Sequence, residues 1–420
     1  MTWIMRLCQC CSCFLLALSI DIATASADGV TDVDWDSLPL TKHSDLQAVD
    51  GNGVRTFPTD VFPVRLRGIL LNNPEDMLDG TPFEPNLVPF DLGASWQVFI
   101  QAVEEDDFGG TAVFMGQHYG NVPPNLGPGS TPDPSRSYTN SAWNDEIARV
   151  NVDRATGHVF RAGDLVEIHG QGALYFGGKT NINEEHFIES ELDFELELIS
   201  AGYGLPAPAP LRLADIWNEE NDQVLFDETR QSGGERFQGE LVQLQYVRLI
   251  DDGTPWAPDS LLTVTDGDGR EFALHLGLSD DFSSILPPDG FFHAVGIFNQ
   301  ESGGPAGPGT GGYEVWVMDP ASITPVAIAG DANGDGKVDG LDYLTWVANF
   351  DDDPAADPPG SPANGDFNDD GKVDGLDYLV WAGAFGQGPN DTVAVPEPSS
   401  LVILALGIAG IAWRSRRRSR

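Results

Sequence analysis

Residues 331–342 read Asp-Ala-Asn-Gly-Asp-Gly-Lys-Val-Asp-Gly-Leu-Asp, and residues 366–377 repeat the pattern as Asp-Phe-Asn-Asp-Asp-Gly-Lys-Val-Asp-Gly-Leu-Asp. In both copies, positions 1, 3, 5, 9 and 12 carry a carboxylate or amide side chain, and position 6 is glycine. Calcium takes about six to eight oxygen ligands, which a 12-residue loop can supply from positions 1, 3, 5, 7, 9 and 12. The spacing therefore predicts two calcium-binding loops, each holding one ion.

The predicted ligands follow from this register. In the first loop they are Asp331, Asn333, Asp335, the backbone carbonyl of Lys337, Asp339 and Asp342. In the second loop they are Asp366, Asn368, Asp370, the backbone carbonyl of Lys372, Asp374 and Asp377. Gly336 and Gly371 stand at position 6, where the sharp turn requires a positive φ. Val338 and Val373 at position 8 are predicted to hold the two loops together.

One helix is predicted after each loop and none before the first, because Pro325 interrupts the preceding segment. Apolar residues recur at helical spacing in both copies. The predicted apolar faces are Leu341, Leu344, Trp346, Val347 and Phe350 in the first helix, and Leu376, Leu379, Trp381 and Phe385 in the second. Each unit is thus a loop followed by a single helix.

This paired pattern over residues 328–388 resembles the type I dockerin module, a small α-helical calcium-binding domain related to the EF-hand. The resemblance implies two loop-helix units packed antiparallel and a cohesin-like partner. In cellulosomal members, loop positions 10 and 11 help to recognise the cohesin. Here they are Gly340-Leu341 and Gly375-Leu376, which lack hydroxyl groups. A cohesin-like protein and a matrix component both remain open as the docking partner.

The two termini carry the features of transport signals. Residues 1–27 combine Arg6, a short apolar core and the cleavage-type sequence Ala25-Ser26-Ala27, which predicts a secretory signal peptide. All four cysteines lie in this leader, so the exported chain is predicted to contain no disulfide.

Residues 394–420 run from Val395-Pro396-Glu397-Pro398 through an apolar stretch to five arginines. This order is similar to the PEP-CTERM sorting signal. The resemblance implies a transmembrane sorting helix, processing by an exosortase, and delivery to the cell surface or extracellular matrix.

The net charge is −43, and the terminal segments hold six of the 22 basic residues. The exported chain is therefore strongly acidic. Such a surface repels the phosphate backbone of nucleic acids, so nucleic-acid binding is disfavoured as a function.

The large N-terminal body is predicted to be mainly β. Apolar strands alternate with turns, and the pattern recurs after the proline-rich segment 206–210. We predict two β domains, residues 45–205 and 211–327. Five strands with a short helix between the third and fourth favour two OB-like barrels, and a β-sandwich is the alternative.

No catalytic motif emerges from the sequence, so no catalytic residue is assigned and the protein is predicted to be non-catalytic. Glu184-Glu185-His186 is the densest polar cluster, open to interpretation as a metal ligand set or a solvated turn. The alternative function is polysaccharide binding or degradation, which the resemblance implies because dockerin modules commonly tether such proteins. The 64 acidic residues outside the leader allow many carboxylate pairs of the kind that hydrolyse glycosides, and spacing selects none of them. Nucleic-acid binding through the OB-like domains is a third, weaker alternative.

Overall fold

The computed structural model describes residues 33–58, 61–79, 94–117, 137–183, 194–288, 290–302, 309–326, 328–351, 364–368 and 370–387. The chain divides into two compact units, Met1–Val326 and Ala327–Arg420. The first is the body and the second is the module that contains the repeat. The predicted signal peptide, the predicted sorting helix and the Glu184-Glu185-His186 cluster lie outside the described residues.

The body is mainly β, as predicted, and its first half forms an eight-stranded sheet. Its strands are β1 (Val64–Leu70), β2 (Leu78–Asp79), β3 (Ser95–Ala102), β4 (Gly110–Gly116), β5 (Leu165–Gly170), β6 (Ala173–Phe176), β7 (Lys179–Asn183) and β8 (Phe194–Ser200). The strand order is β6-β7-β4-β3-β1-β5-β8, with β2 beside β3. All neighbours are antiparallel except β4 and β7.

Two helices accompany this sheet, α1 (His43–Leu46) and α2 (Asn140–Val150). The α2 helix lies between the third and fourth long strands in sequence, and the Thr139 side chain caps it by accepting a hydrogen bond from the Ala142 N–H. Trp143 and Val150 of α2 are buried in the same hydrophobic core as Trp96 of β3. The helix is therefore held in place by its apolar side.

The second half of the body contains a closed five-stranded barrel. Its strands are β12 (Leu241–Leu249), β13 (Leu261–Thr265), β14 (Glu271–Leu276), β15 (Phe292–Gln300) and β16 (Tyr313–Val317). Their order is β12-β13-β14-β16-β15, with β15 returning to β12. The β14 and β16 strands are parallel, and the other barrel neighbours are antiparallel. Closure satisfies the backbone hydrogen bonds that an open edge would leave free.

Smaller elements flank the barrel. They are β9 (Ala209–Leu211), α3 (Leu213–Ile216), β10 (Trp217–Asn218), β11 (Gln223–Val224) and β17 (Ile323–Pro325). The edge strands β9 and β17 pair with β12 and β15, and β10 and β11 form a separate two-stranded ribbon.

The two halves of the body pack directly against each other. A hydrophobic cluster contains Phe99 from the first sheet together with Ile297 and Trp316 from the barrel. Beside it, a Cβ on Gly110 would lie 2.2 Å from the carbonyl oxygen of Gly239. Only glycine permits this close approach, so the backbones of the two halves touch at Gly110 and Gly239.

A buried histidine links three segments of the barrel half. His275 of β14 places Nε2 3.2 Å from an Asp259 carboxylate oxygen and Nδ1 3.4 Å from a Glu314 carboxylate oxygen. Its ring meets Trp316 edge to face at a centroid distance of 4.5 Å. Burial lowers the pKa of His275, but the interactions with Asp259 and Glu314 outweigh it and raise the pKa to about 9. The imidazolium form is therefore favoured in the folded state.

We expect this histidine to make the stability of the body depend on pH. The folded pKa lies above the unfolded value of about 6.5, so the contribution is complete below about pH 6.5 and is lost as pH rises through about 9. The free energy of unfolding should fall by about 1–3 kcal/mol more in the wild type than in His275→Gln between pH 6 and 9.5. Denaturant unfolding at constant calcium measures this difference. Parallel pH profiles for the two proteins would contradict it.

Candidate metal centre

The two repeats form loop-helix units in the module, as their sequence predicts. The helices are α4 (Gly340–Ala348) and α5 (Gly375–Ala384). Asp339 caps α4 by accepting a hydrogen bond from the Leu341 N–H at 2.7 Å, and Asp342 in turn accepts one from the Asp339 N–H at 2.7 Å. Such a reciprocal pair satisfies N–H groups that the first helical turn leaves without partners. Loop positions 9 and 12 therefore also start the helix.

The first loop folds around two buried aspartates. The two carboxylate oxygens of Asp331 accept hydrogen bonds from the N–H groups of Gly334 and Gly336, each at 2.8 Å. Asp342 Oδ1 accepts from the N–H groups of Ala332 at 2.8 Å and Asn333 at 3.2 Å. The side chain at position 12 thus reaches back to the start of the loop, which brings the first and last predicted ligands together.

The second loop repeats this geometry. Asp366 Oδ2 accepts from the Gly371 N–H at 2.9 Å, and Asp377 Oδ1 accepts from the Phe367 N–H at 2.8 Å. Asp374 caps α5 by accepting from the Leu376 N–H at 2.7 Å. The glycine at position 6 has a positive φ in both loops, 84° at Gly336 and 82° at Gly371. The predicted turn glycines are therefore in the conformation that a side chain would oppose.

The remaining predicted ligands lie nearer the surface. Asn333 Oδ1 accepts from the Asp335 N–H at 2.9 Å, and Asp335 Oδ1 accepts from the Lys337 N–H at 2.9 Å. Asn368 and Asp370 repeat both contacts at 3.0 Å. The side chains of Lys337 and Lys372 are exposed, and the assignment of their backbone carbonyls as ligands stays a prediction.

The electrostatics of the loops favour a cation. Asp331, Asp342, Asp366 and Asp377 are 6%, 0%, 1% and 0% exposed. Among the described residues, none of these four carboxylates makes an ion pair with a basic side chain. Burial, together with the charges of Asp342 and Asp335, raises the pKa of Asp331 to about 6. Buried carboxylates without a counter-charge are costly, and a donor set made only of oxygen suits calcium. The residues present therefore fit a calcium ion.

The position 8 valines also join the two units through their backbones. Both are buried. The Val338 carbonyl accepts a hydrogen bond from the Gly386 N–H at 2.8 Å, and the Val338 N–H donates to the Gln387 carbonyl at 2.9 Å. Both partners lie just after α5. Val373 accepts from the Asp351 N–H, just after α4, at 2.9 Å. Each loop is thus bound to the end of the opposite helix.

The predicted apolar helix faces are largely exposed to solvent. Leu344 is 59% exposed and Leu379 is 63% exposed, and Leu341, Val347 and Phe350 are also exposed. Of these faces, Trp346 and Trp381 pack between the helices, where Trp381 meets Tyr343 at 5.1 Å and Trp346 meets Tyr378 at 5.4 Å between ring centroids. The module therefore presents an aliphatic surface on each helix.

A second carboxylate-histidine group lies in the body and was not predicted. Glu167, His169 and Glu197 bring ligand-type atoms within 4.8 Å of one another. Glu167 is also paired with Arg65 at 2.7 Å and Arg67 at 3.0 Å. Alternation along β5 places Glu167 and His169 on one face, but the contact with Glu197 depends on the register of β8. With two arginines on Glu167, this group forms an ion-pair network.

Within the described residues, no helix is both long and apolar enough to cross a membrane.

Comparison with protein families gives two matches. Residues 329–383 match the dockerin type I domain, and residues 394–418 match the PEP-CTERM protein-sorting motif. No curated protein matches the chain. Neither of the two matched modules is catalytic. Type I dockerin domains bind calcium and imply a cohesin-type partner, while the sorting motif implies exosortase processing of an exported, surface-associated protein. The chain thus carries a type I dockerin domain followed by a PEP-CTERM sorting motif.

Proposed function

We propose that this protein is a non-catalytic component of the cell surface whose dockerin domain binds two calcium ions and docks the β body to a cohesin-like or matrix partner. The observation that carries the proposal is the pair of buried aspartates in each loop, which have no basic partner among the described residues. Asp331, Asn333, Asp335, Lys337, Asp339 and Asp342 would hold one ion. Asp366, Asn368, Asp370, Lys372, Asp374 and Asp377 would hold the other.

Calcium would supply the missing positive charge of each loop. The aspartates at positions 9 and 12 also cap the helices. A calcium ion bound by these aspartates would therefore stabilise the loop and the start of its helix together. The aliphatic surfaces around Leu344 and Leu379 would then be presented on ordered helices. Exposed apolar patches on a strongly acidic protein are typical of an interaction site.

The body would be the part that is displayed. Its closed barrel has the strand order 1-2-3-5-4-1, counting from β12, with the third and fifth strands parallel. This connectivity supports an OB-type barrel, and we assign the second predicted domain to that class as part of the proposal. In the first sheet, α2 lies between β4 and β5, which are the third and fourth long strands in sequence. A helix at this place in the strand order is the one that the OB-like pattern predicted.

The number of ions is directly testable. Isothermal titration of the exported chain should show two calcium ions bound well above the background of the acidic surface. Asp342→Asn and Asp377→Asn should each remove one ion, because each loses the carboxylate that closes its loop. Asp351→Asn provides a matched control, since it removes an exposed charge of the same module outside both loops. Equal stoichiometry in all four proteins would rule out the proposed ligands.

The sorting motif makes a separate prediction. Replacing Pro396, Glu397 and Pro398 together by alanine should block removal of the tail, because these residues form the recognised motif. In a host with an exosortase, the variant should retain its tail and stay in the membrane fraction, detected with a tail-specific antibody. Thr392→Ala, just before the matched residues, should be processed normally. Processing of the triple variant at the wild-type rate would contradict the prediction.

A further inference from the structure

Two tryptophans exchange hydrogen bonds between the loop-helix units. Trp346 of α4 donates its indole N–H to the carbonyl oxygen of Asp374 in the second loop, at 2.9 Å. Trp381 of α5 donates to the carbonyl oxygen of Asp339 in the first loop, also at 2.9 Å. The two tryptophans occupy the same position in the two repeats. Each therefore contacts position 9 of the loop to which it does not belong.

Position 9 has two roles in each loop. Asp339 and Asp374 are predicted calcium ligands and also the N-cap residues of α4 and α5. Their carbonyl oxygens accept only long bonds from within the helix, 3.4 Å from the Tyr343 N–H and 3.5 Å from the Tyr378 N–H. The indole is the closer donor in both cases. It thus fixes the orientation of the peptide group that follows the ligand.

The same tryptophans also contact the opposite loop where it begins. A Cβ on Gly330, which precedes Asp331, would lie 3.1 Å from the Cα of Trp381. A Cβ on Gly365, which precedes Asp366, would lie 2.9 Å from the Cα of Trp346. Both glycines have a φ of 93°. Each loop is therefore held at its start and at position 9 by the helix of the other unit.

We propose that Trp346 and Trp381 are positioning residues that couple the two calcium loops, so that the exported protein binds its two calcium ions cooperatively. This inference rests on the proposed calcium binding. An ion in the first loop orders α4, and α4 carries the indole that fixes Asp374. The second loop then loses less conformational freedom when it binds its own ion, which strengthens that binding. Trp381 carries the reverse effect, as reciprocity of coupled binding requires.

The test measures the calcium dissociation constant of each loop with its neighbour intact or silenced. In the exported chain, Asp342→Asn leaves only the second loop and Asp377→Asn leaves only the first. Each remaining loop should bind calcium about fivefold more weakly than in the wild type, the scale of one hydrogen bond of ordinary strength. In a Trp346→Phe/Trp381→Phe background, silencing one loop should leave the affinity of the other unchanged.

Two controls keep the result interpretable. Trp256→Phe makes the same substitution in the body, where the indole N–H has no hydrogen-bond partner among the described residues, and it should leave the coupling intact. Benzothienylalanine at positions 346 and 381 keeps the ring shape but removes the N–H, so it decides the question if the phenylalanine variants fail to fold in saturating calcium.

Three results would overturn the inference. If the unmodified chain binds two ions but each loop keeps its affinity when the other is silenced, the coupling is wrong and the proposed calcium binding stands. If the coupling survives removal of both indole N–H groups, the tryptophans do not carry it. If the unmodified chain binds no calcium, the proposed function and the coupling fail together.

Discussion

Each loop of the dockerin domain is closed by one buried aspartate at its last position. Asp342 accepts hydrogen bonds from Ala332 and Asn333 at the start of the loop and from Asp339 at the start of the helix. Asp377 makes the same contacts with Phe367, Asn368 and Asp374. One carboxylate therefore joins the two ends of the loop and begins the helix. Its buried negative charge, placed near that of Asp331 or Asp366, is the constraint that calcium would relieve.

The rest of the module follows from that constraint. Once both helices begin at fixed points, Trp346 and Trp381 can reach across to the opposite loops, and each loop can bind the chain after the opposite helix. Neither loop-helix unit buries most of its apolar helix face, since Leu344 and Leu379 are largely exposed. The two units are instead held together by aromatic contacts between the helices and by backbone hydrogen bonds from each loop to the chain after the opposite helix. The body, in contrast, depends on a large buried core and on a barrel that closes on itself.

The sequence predicted the parts of this structure that depend on local spacing. The loop register, the positive φ of Gly336 and Gly371, the helix that follows each loop and the mainly β body can all be inferred from residues close together in the chain.

Contacts that depend on packing could not be inferred. The apolar pattern placed Trp346 on a helix face but could not identify Asp374 as its partner. The backbone partners of Val338 follow the other helix, far from Val338 in sequence. Closure of the barrel required β15 to pair with both β12 and β16, which no local pattern specifies. The network of Glu167, His169 and Glu197 likewise depends on strand register.

If these two loops are calcium sites, anomalous diffraction from crystals of the exported chain grown with calcium should show two strong anomalous peaks. One should be surrounded by oxygens of Asp331, Asn333, Asp335, Lys337, Asp339 and Asp342, and the other by the matching oxygens of residues 366–377, at about 2.3–2.6 Å. Loops that keep this fold in calcium without an anomalous peak inside either of them would show that they are not calcium sites.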